Sequence, residues 1–434
     1  MGPSDFVGDY GGMRTLTLVS AGSGLPDAAE LRRREDADEM PRSSLFRDIL
    51  NSDILDERFL ENVPRIRSRL YARSPVPLAQ VMEAFALRNR YDAVISWAEH
   101  LGLPLAGLFK ATGSRPVHIA LFSWISRPKK ALLLKRVHSH IDRIILWSSV
   151  QRDYAINQIG IPPSKIAFTN WYVDQKFWRP MDSPGQDMIC SVGREMRDYG
   201  TLIESLRDTD IPCHIAAKTY PGKDDNWIAL LSRTDSIPRH VSVGPKNPVE
   251  LRQLYARSRF VVIPILPTDT DNGVTCILEA MAMGKAVICS RVLGQRDVIQ
   301  EGKTGIYVSP QDPRALREAI AHLWANPEKA ARMGEEGRAY IEKYHTFDAW
   351  VSGIRDIVVD TVRGRQGAHL NEKGGGKIDS PAPEDGSMFP VMQQEAFPGG
   401  AMQENTVTGE WMTRSAARST QGRRHAHDTG KHRP

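Results

Sequence analysis

The feature that most constrains this chain is a regular alternation of short apolar runs with helical segments, and it occurs twice. In the first half, strand-like runs such as RTLTLVS, YDAVISWA and RPVHIALFSW are separated by segments with helical spacing. After residues 171–186, which contain two prolines and have no clean period, the alternation restarts with MICSVG and continues through FVVIPI and AVICS. Alternation of this kind predicts parallel sheets covered by helices on both faces. We therefore expect an α/β chain of two domains, with residues from Ala28 to about Arg73 helical.

Charge and composition exclude several function classes. The net charge is +5, and residues 414–434 alone hold six Lys or Arg and one Asp, so residues 1–413 sum to zero. A neutral body carries no signature of nucleic-acid binding. No apolar run reaches the roughly 18 residues of a membrane span, and we read no signal peptide at the N-terminus. Four cysteines without paired spacing favour free thiols in a reducing cytoplasm.

The segment TDTDNGVTCILEAMAMG, residues 268–284, places a glycine-containing turn directly before an apolar helix. Ligands of parallel α/β sheets bind beyond the carboxyl ends of the strands, so we expect a site in the cleft between the two Rossmann-like domains. The first turn of a helix has unpaired N–H groups and the positive end of the helix dipole, which suit a diphosphate. The residues expected to face that diphosphate are Asn272, Gly273, Val274 and Thr275.

Two carboxylates flank this turn. Asp271 precedes the helix and could accept hydrogen bonds from sugar hydroxyls, whereas Glu279, about one turn inside, could accept them from a ribose diol. An N-capping Asp and a surface Glu on an ordinary helix would explain the same pattern. Residue types and spacing alone leave both explanations open.

Several motifs in consistent order resemble a known family. EAMAMGKAVI, QEGKTGIYVSPQDPRALREAI and DRIILWSSVQRDYAINQIGIPPSKIAF are similar to the E-x7-E region and its flanks in retaining glycosyltransferases of the GT-B fold, the family 4 type or glycosyl transferases group 1. The similarity covers roughly residues 130–350. It implies two Rossmann-like domains around a central cleft, with a last helix that packs back onto the first domain.

The resemblance also implies roles for individual residues. Glu279 would hold the nucleotide ribose, and Asp271, shorter than the family's usual Glu, would contact the donor sugar. Arg194 matches the arginine that binds the donor diphosphate. The family usually has a lysine five positions later, where this chain has Tyr199, so the second phosphate contact stays open. We rank Lys218 before Arg197 as its replacement.

Two further candidates come from the first domain. His100 in ISWAEHLGLP stands for the family's histidine beside the donor sugar. The glycine-rich loop after the first strand, with Gly22 and Gly24, would approach the diphosphate from the other side.

The predicted domain boundaries follow from changes in composition along the chain and from the family resemblance. They are a disordered N-terminus at 1–13, an acceptor domain at 14–175, a linker at 176–186, a nucleotide-sugar domain at 187–345, a packing helix at 346–363 and a disordered, Gly- and Pro-rich tail at 364–434.

The function implied is a retaining, metal-independent hexosyltransferase with a nucleotide diphosphate sugar as co-substrate and no cofactor. Its acceptor would be a glycan, a small molecule or a lipid. Because KKALLLKRVHSH is basic and partly amphipathic, weak peripheral membrane contact is also considered for this cytoplasmic chain. Two alternatives stay open: a degenerate protein that binds a nucleotide or a partner without transfer, and a sugar-nucleotide epimerase.

Overall fold

The architecture is taken from a computed structural model that describes residues 12–19, 27–113, 115–182, 187–217 and 237–374, with side chains to residue 367. Its strands are β1 Thr15–Leu18, β2 Ser52–Leu55, β3 Ala93–Trp97, β4 Val117–Leu121, β5 Arg143–Leu146, β6 Ile166–Phe168, β7 Ile189–Val192, β8 Cys213–Ala216, β9 Val241–Val243, β10 Phe260–Ile263, β11 Ala286–Ser290 and β12 Gly305–Val308. They form two six-stranded sheets, ordered β2-β1-β3-β4-β5-β6 and β12-β11-β10-β7-β8-β9. Every pairing described between these strands is parallel.

Helices cover both faces of each sheet. They are α1 Ala28–Asp36, α2 Ser44–Ile49, α3 Glu57–Glu61, α4 Arg65–Tyr71, α5 Val76–Leu87, α6 Glu99–Thr112, α7 Pro128–Val137, α8 Ser149–Tyr154, α9 Tyr199–Leu206, α10 Pro248–Arg257, α11 Val274–Ala282, α12 Pro313–Ala325, α13 Pro327–Tyr344 and α14 Phe347–Gly374. The prediction of two parallel-sheet α/β domains is confirmed by this arrangement. We call the two domains the first and second lobes.

Sheet order fixes where the second lobe can bind a ligand. Chain order reverses between β7 and β10, which are neighbours at the centre of the sheet although β8 and β9 lie between them in sequence. The loops that leave two such strands diverge and open a crevice. Backbone bonds tie the two loops together: Leu266 N–H donates to Met196 O at 2.9 Å, and Asp198 N–H to Pro264 O at 3.0 Å.

The prediction of an all-helical stretch from Ala28 to Arg73 is wrong at β2. This strand pairs in parallel with β1, from Thr15 opposite Ser52 to Leu18 opposite Leu55. It is a four-residue edge strand with the charged Asp53 exposed. Its strand conformation comes from the neighbouring β1, because four residues are too few to show an alternating pattern of their own.

The last helix is longer than predicted. α14 continues to Gly374, so the boundary of the tail at residue 364 is wrong by about three turns. Apolar side chains of α14, including Trp350, Ile354 and Val358, share a buried cluster with Ile119 and other residues of the first-lobe strands. Past residue 363, Arg365 donates to Pro116 O at 3.0 Å and pairs with Asp142 of the first lobe, and these contacts hold the extra turns.

Candidate functional site

A cavity of about 330 Å³ lies where the carboxyl ends of the two sheets face each other. Its first-lobe wall follows β4, β5 and β6, and its second-lobe wall follows β7 and β10. The lining residues are Ser123, Trp124, Trp147, Trp171, Gly193, Arg194, Glu195, Arg197, Thr270, Asp271, Asn272, Gly273, Val274, Thr275 and Cys276. Five of the residues predicted from the 268–284 segment, and Arg194, are therefore brought together.

The N-terminus of α11 forms one wall of this cavity. Gly273 is its N-cap residue with φ of 96°, and no side chain caps the helix. A Cβ at this position would lie 3.0 Å from Ile265 Cδ1 and 3.2 Å from Ile263 Cγ2. Only glycine meets both the positive φ and the close approach to the strand. Val274 N–H donates to Asp271 O at 3.0 Å. The N–H groups of Thr275 and Cys276, two residues that line the cavity, belong to the first turn of α11 at the positive end of its dipole.

A second loop holds Asp271 and Asn272 in place from behind. Gln295, which is buried, donates through Nε2 to Asp271 O at 2.8 Å and to Asn272 O at 3.2 Å. Gly294 makes the close approach feasible, since a Cβ there would overlap the backbone of Thr270. Gln295 was not identified from the sequence, because its only link to the site is this tertiary contact.

Three indole rings of the first lobe donate hydrogen bonds across the cleft. Trp147 Nε1 lies 2.6 Å from Asp271 Oδ2, and Trp124 Nε1 lies 3.0 Å from Asp269 Oδ1. Trp171 Nε1 lies 3.3 Å from Thr275 Oγ1, and its ring packs on Trp147 with centroids 4.2 Å apart. Sequence reasoning missed all three, although Trp147 directly follows β5 and Trp124 lies three residues past the end of β4. That position was itself the available signal.

Arg197 lies beneath the cavity as a buried cation. It is 6% exposed and donates to Val192 O at 2.9 Å, Glu195 O at 2.8 Å and Cys276 Sγ at 3.4 Å. Among the described residues no carboxylate forms an ion pair with it. A buried guanidinium held by neutral acceptors favours an anion in the adjoining space.

Tyr199 takes no part in the cavity lining. Its ring is buried in the second-lobe core, and its hydroxyl donates to Gly193 O at 2.5 Å. The position where the resembling family has a lysine is therefore directed into the protein in this chain. Arg197, two residues earlier, places its guanidinium at the cavity.

Both carboxylates of the predicted pair have raised pKa values. Burial raises the pKa of Asp271 to about 6, against the hydrogen bonds from Trp147 and Thr270, which lower it. Burial likewise raises the pKa of Glu279 to about 7, opposed by Tyr255 and Arg197. The Glu279 carboxylate accepts from Tyr255 OH at 2.9 Å and is not among the lining residues of the cavity. Two carboxyls that titrate near neutrality are typical of functional sites.

The other predicted site residues lie away from the cavity or outside the residues that the structure describes. His100 is exposed as the second residue of α6 and does not line the cavity, since β3 ends at Trp97. Its neighbour Glu99 accepts N–H groups from Ser123 and Trp124, and so positions the loop that carries Trp124. Lys218, Gly22 and Gly24 lie outside the described residues.

The described residues show neither a metal-binding cluster nor a membrane-spanning helix. Within the described part of the chain, no group of three or more His, Cys, Asp or Glu side chains is arranged to hold a metal ion. Across the same residues, no helix combines the length and apolar character needed to cross a membrane.

The second lobe matches a known protein family. Residues 181–340 match the family model described as glycosyl transferases group 1. An uncharacterised glycosyltransferase of Methanocaldococcus jannaschii is 25% identical over 158 residues, which cover 36% of this chain and 42% of that protein. A D-inositol 3-phosphate glycosyltransferase of Corynebacterium glutamicum is 32% identical over 110 residues, 25% of each chain. The chain thus spans less than half the length of these two relatives.

Solved structures extend the likeness to both lobes. Sucrose-phosphate synthase from Thermosynechococcus elongatus superposes with a TM-score of 0.62 at 16% identity, over 83% of this chain and 100% of that one. The Anabaena protein HepE, solved with UDP and glucose, gives a TM-score of 0.59 at 16% identity, over 81% and 99%. At this identity the likeness establishes the fold. The described chain therefore has the two-lobed GT-B fold, with a second lobe that matches the glycosyl transferases group 1.

Proposed function

We propose that this protein is a glycosyltransferase that moves a hexose from a nucleotide diphosphate sugar to an acceptor hydroxyl, with retention of anomeric configuration and without a metal ion. The observation that supports it most is the meeting of two positive elements in one cavity. These are the uncapped N-terminus of α11 and the buried guanidinium of Arg197. Together with Arg194 they suit a diphosphate group.

Four residues at or beside the cavity have named roles in this proposal. Arg194 and Arg197 bind the donor diphosphate, and Arg197 supplies the second cation that Tyr199 does not. Asp271 accepts hydrogen bonds from hydroxyls of the donor sugar while Trp147 fixes its orientation. Glu279 exchanges its bond from Tyr255 for the ribose diol of the nucleotide.

In the proposed reaction the protein stabilises the leaving diphosphate. Charge that develops on the departing diphosphate is stabilised by the two guanidinium groups and the helix dipole. Asp271 is held by the indole N–H of Trp147 and serves to position the sugar. We propose front-face attack, in which a leaving phosphate oxygen accepts the proton of the acceptor hydroxyl. The three tryptophans exclude water, which protects the donor from hydrolysis.

The comparisons support a nucleotide sugar as the donor. HepE of Anabaena has been solved with UDP-glucose, and the relatives include a D-rhamnosyltransferase of Pseudomonas aeruginosa, 27% identical over 175 residues. For this chain we propose a glycan, a small molecule or a lipid as the acceptor.

The test is a thermal-shift screen with UDP, GDP, ADP, TDP and their sugar conjugates in the presence of a chelator. A ligand that binds the folded state raises its apparent stability by mass action. We expect a shift with one nucleotide that is reduced in Arg197→Gln and Glu279→Ala, each compared with its own ligand-free baseline. Arg314→Gln, an exposed change on the second lobe, is the matched control and keeps the full shift.

The donor so identified is then incubated with candidate acceptors, and the anomeric coupling constant of the product is read by NMR. The same anomer as the donor supports retention, whereas the opposite anomer contradicts it. No shift with any nucleotide would favour a degenerate partner-binding protein. Conversion of the donor sugar without an acceptor would favour an epimerase.

A further inference from the structure

Two stretches of the first lobe combine positive charge with exposed apolar side chains. Residues 62–82 contain four arginines and no acid, and residues 127–136 contain Arg127, Lys129, Lys130, Lys135 and Arg136 and again no acid. They contribute six of the eight large apolar side chains that are exposed in the described chain: Ile66, Leu70, Val76, Leu78, Leu132 and Leu133. We call these two stretches together the basic apolar face.

Both stretches lie on the same side of the first-lobe sheet. α5 packs on α6, and α6 packs on α7. The buried sides of these helices cover one sheet face, whereas α2 and α14 cover the other. The exposed sides of α4, α5 and α7 therefore belong to one surface of the lobe.

The short helix α4 exposes its aliphatic side chains to solvent instead of burying them. Tyr71 is buried and donates from its hydroxyl to the buried Glu83 at 2.8 Å. Ile66 is 85% exposed and Leu70 is 60% exposed, one turn apart on the outer side. Exposed apolar side chains that lie together mark an interaction surface.

The arginines of this helix have unequal partners. Arg67 pairs with Glu83 at 3.4 Å and so balances the negative charge of that buried carboxylate. Arg65 and Arg69 are exposed one turn apart on α4, and Arg73 is exposed just past its C-terminal end. The described residues provide no ion-pair partner for these three arginines. Three arginines beside a protruding Ile and Leu are complementary to a surface that is both anionic and apolar.

We propose that the basic apolar face docks the protein on an anionic lipid bilayer. Lys130 pairs with Glu99 at 3.0 Å and Arg127 stacks on Trp124, so these two side chains are engaged within the protein. The exposed Arg65, Arg69, Arg73, Lys129, Lys135 and Arg136 bind acidic headgroups. Ile66 and Leu70 enter the boundary between headgroups and acyl chains. A soluble polyanion such as a nucleic acid offers the charge but no apolar layer for these two side chains. The proposal is independent of the donor site, which faces the other lobe.

The test is co-sedimentation of the full chain with vesicles of equal parts phosphatidylglycerol and phosphatidylcholine, and with vesicles of phosphatidylcholine alone. We expect salt-sensitive binding to the anionic vesicles only. Arg65→Gln, Arg69→Gln and Arg73→Gln combined should weaken it on the order of 100-fold, since each basic residue near an anionic surface contributes about fivefold. Ile66→Ser with Leu70→Ser should weaken it as well, at unchanged charge.

The matched control removes three exposed positive charges from the second lobe: Lys303→Gln, Arg314→Gln and Arg332→Gln. This control keeps wild-type binding if the proposal holds. Equal loss in the control, or no loss in the arginine variant, would assign binding to net charge or to the basic residues 414–434 and overturn the proposal. Loss in the arginine variant without loss in the Ile66 and Leu70 variant would also overturn it, in favour of a soluble polyanion. Unchanged thermal midpoints verify that each variant is folded.

Discussion

At the scale of single residues, burial and the indole N–H of Trp147 act in opposite directions on the pKa of Asp271. The hydrogen bond at 2.6 Å lowers the pKa of a carboxyl that burial raises to about 6. We predict that Trp147→Phe, which keeps an aromatic ring beside Trp171, moves the acid limb of the pH–rate profile to higher pH and reduces kcat about tenfold. Trp124→Phe removes the indole donor to Asp269 instead and should leave the position of that limb unchanged. An unmoved limb in Trp147→Phe would contradict the role given to Trp147.

The raised pKa of Asp271 has a consequence for stability. A carboxyl whose folded pKa lies above its unfolded value binds protons more strongly in the folded state, so stability falls as pH rises from about 4 to 6. We predict that Asp271→Asn stabilises the ligand-free protein at pH 8, by at most about 3 kcal/mol, and has little effect near pH 4. Denaturant unfolding at both pH values measures this. A destabilisation at pH 8 would show that the ionised carboxylate contributes to the fold.

Gly273 carries the backbone conformation on which the anion site depends. Gly273→Ala forces a residue with a Cβ into φ of 96°, 3.0 Å from Ile265 Cδ1. We predict a loss of about 1–3 kcal/mol in the free energy of unfolding, together with loss of the nucleotide-induced thermal shift. Gly107→Ala, inside α6 with nothing described within 4 Å of the new methyl, is the control and should stabilise by about 0.5–1 kcal/mol. A fully retained nucleotide shift would exclude the α11 N-terminus as the diphosphate site.

At the scale of elements, Arg42 joins three segments that are distant in sequence. Its guanidinium lies 2.7 Å from Asp174, where the chain crosses between lobes, and 2.8 Å from Asp348 in the first turn of α14. Burial alone would raise the pKa of Asp348, but hydrogen bonds from Arg42 and Gln175 hold that pKa well below its usual value. The ion pair between Arg42 and Asp348 therefore adds to the attachment of α14 to the first lobe while Asp348 is ionised.

We predict that Arg42→Met destabilises the protein by about 3 kcal/mol at pH 7, because it leaves the buried Asp174 without its cation. The pKa of Asp348 is depressed in the folded state, so this contribution is present above pH 4 and is lost as pH falls further. The deficit of the variant should accordingly shrink in acid. Thermal unfolding at several pH values measures it, with Arg314→Met in an exposed ion pair as the control. A deficit that does not depend on pH would contradict an ionic clamp.

At the scale of the whole molecule, Asp297 of the second lobe holds the start of α8 in the first. It accepts from Ser149 N at 2.8 Å and from Ser149 Oγ at 2.7 Å, and Arg296 adds a bond of 2.9 Å to the same hydroxyl. These contacts join the two lobes beside the cavity that Trp124, Trp147 and Trp171 line. We predict that Asp297→Ala increases hydrolysis of the donor relative to transfer about tenfold, because water enters a less closed cleft.

The control for Asp297→Ala is Glu336→Ala, which removes an exposed carboxylate paired with Lys303 on the same lobe. Its ratio of hydrolysis to transfer should equal that of the wild type. Both products can be separated by chromatography and quantified from one reaction. An unchanged ratio in Asp297→Ala would mean that other contacts alone keep the cleft closed.

Much of the fold could be predicted because its signals are local. Buried parallel strands such as FVVI at β10 and AVICS at β11 are continuous apolar runs, and they stand out between helical segments. The edge strand β2 could not, since its conformation depends on pairing with β1. The same holds for the last turns of α14, whose composition favours disorder but whose Arg365 binds the first lobe.

The candidate site divides in the same way. The α11 wall, with Asp271, Gly273 and Thr275, was predicted because one continuous segment supplies the turn, the glycine and the helix. Trp147 meets Asp271 across 124 residues, and no pattern in either segment reports that meeting. His100 was chosen from a strand end, yet the strand stops at Trp97 and His100 is an exposed second residue of the next helix.

The sequence by itself determined the alternation of strands and helices, the two-lobed class and the helix N-terminus that faces the cleft. These depend on periodicity and on turn residues that are adjacent in the chain. Only the tertiary structure decided that Arg197 is a buried cation at the cavity, that Tyr199 is turned inward, and that tryptophans of one lobe hold the acidic loop of the other. Burial and pairing are properties of surfaces brought together by folding. The positions of Arg197 and Tyr199 are therefore defined when the second lobe folds, and the tryptophan contacts when the two lobes meet.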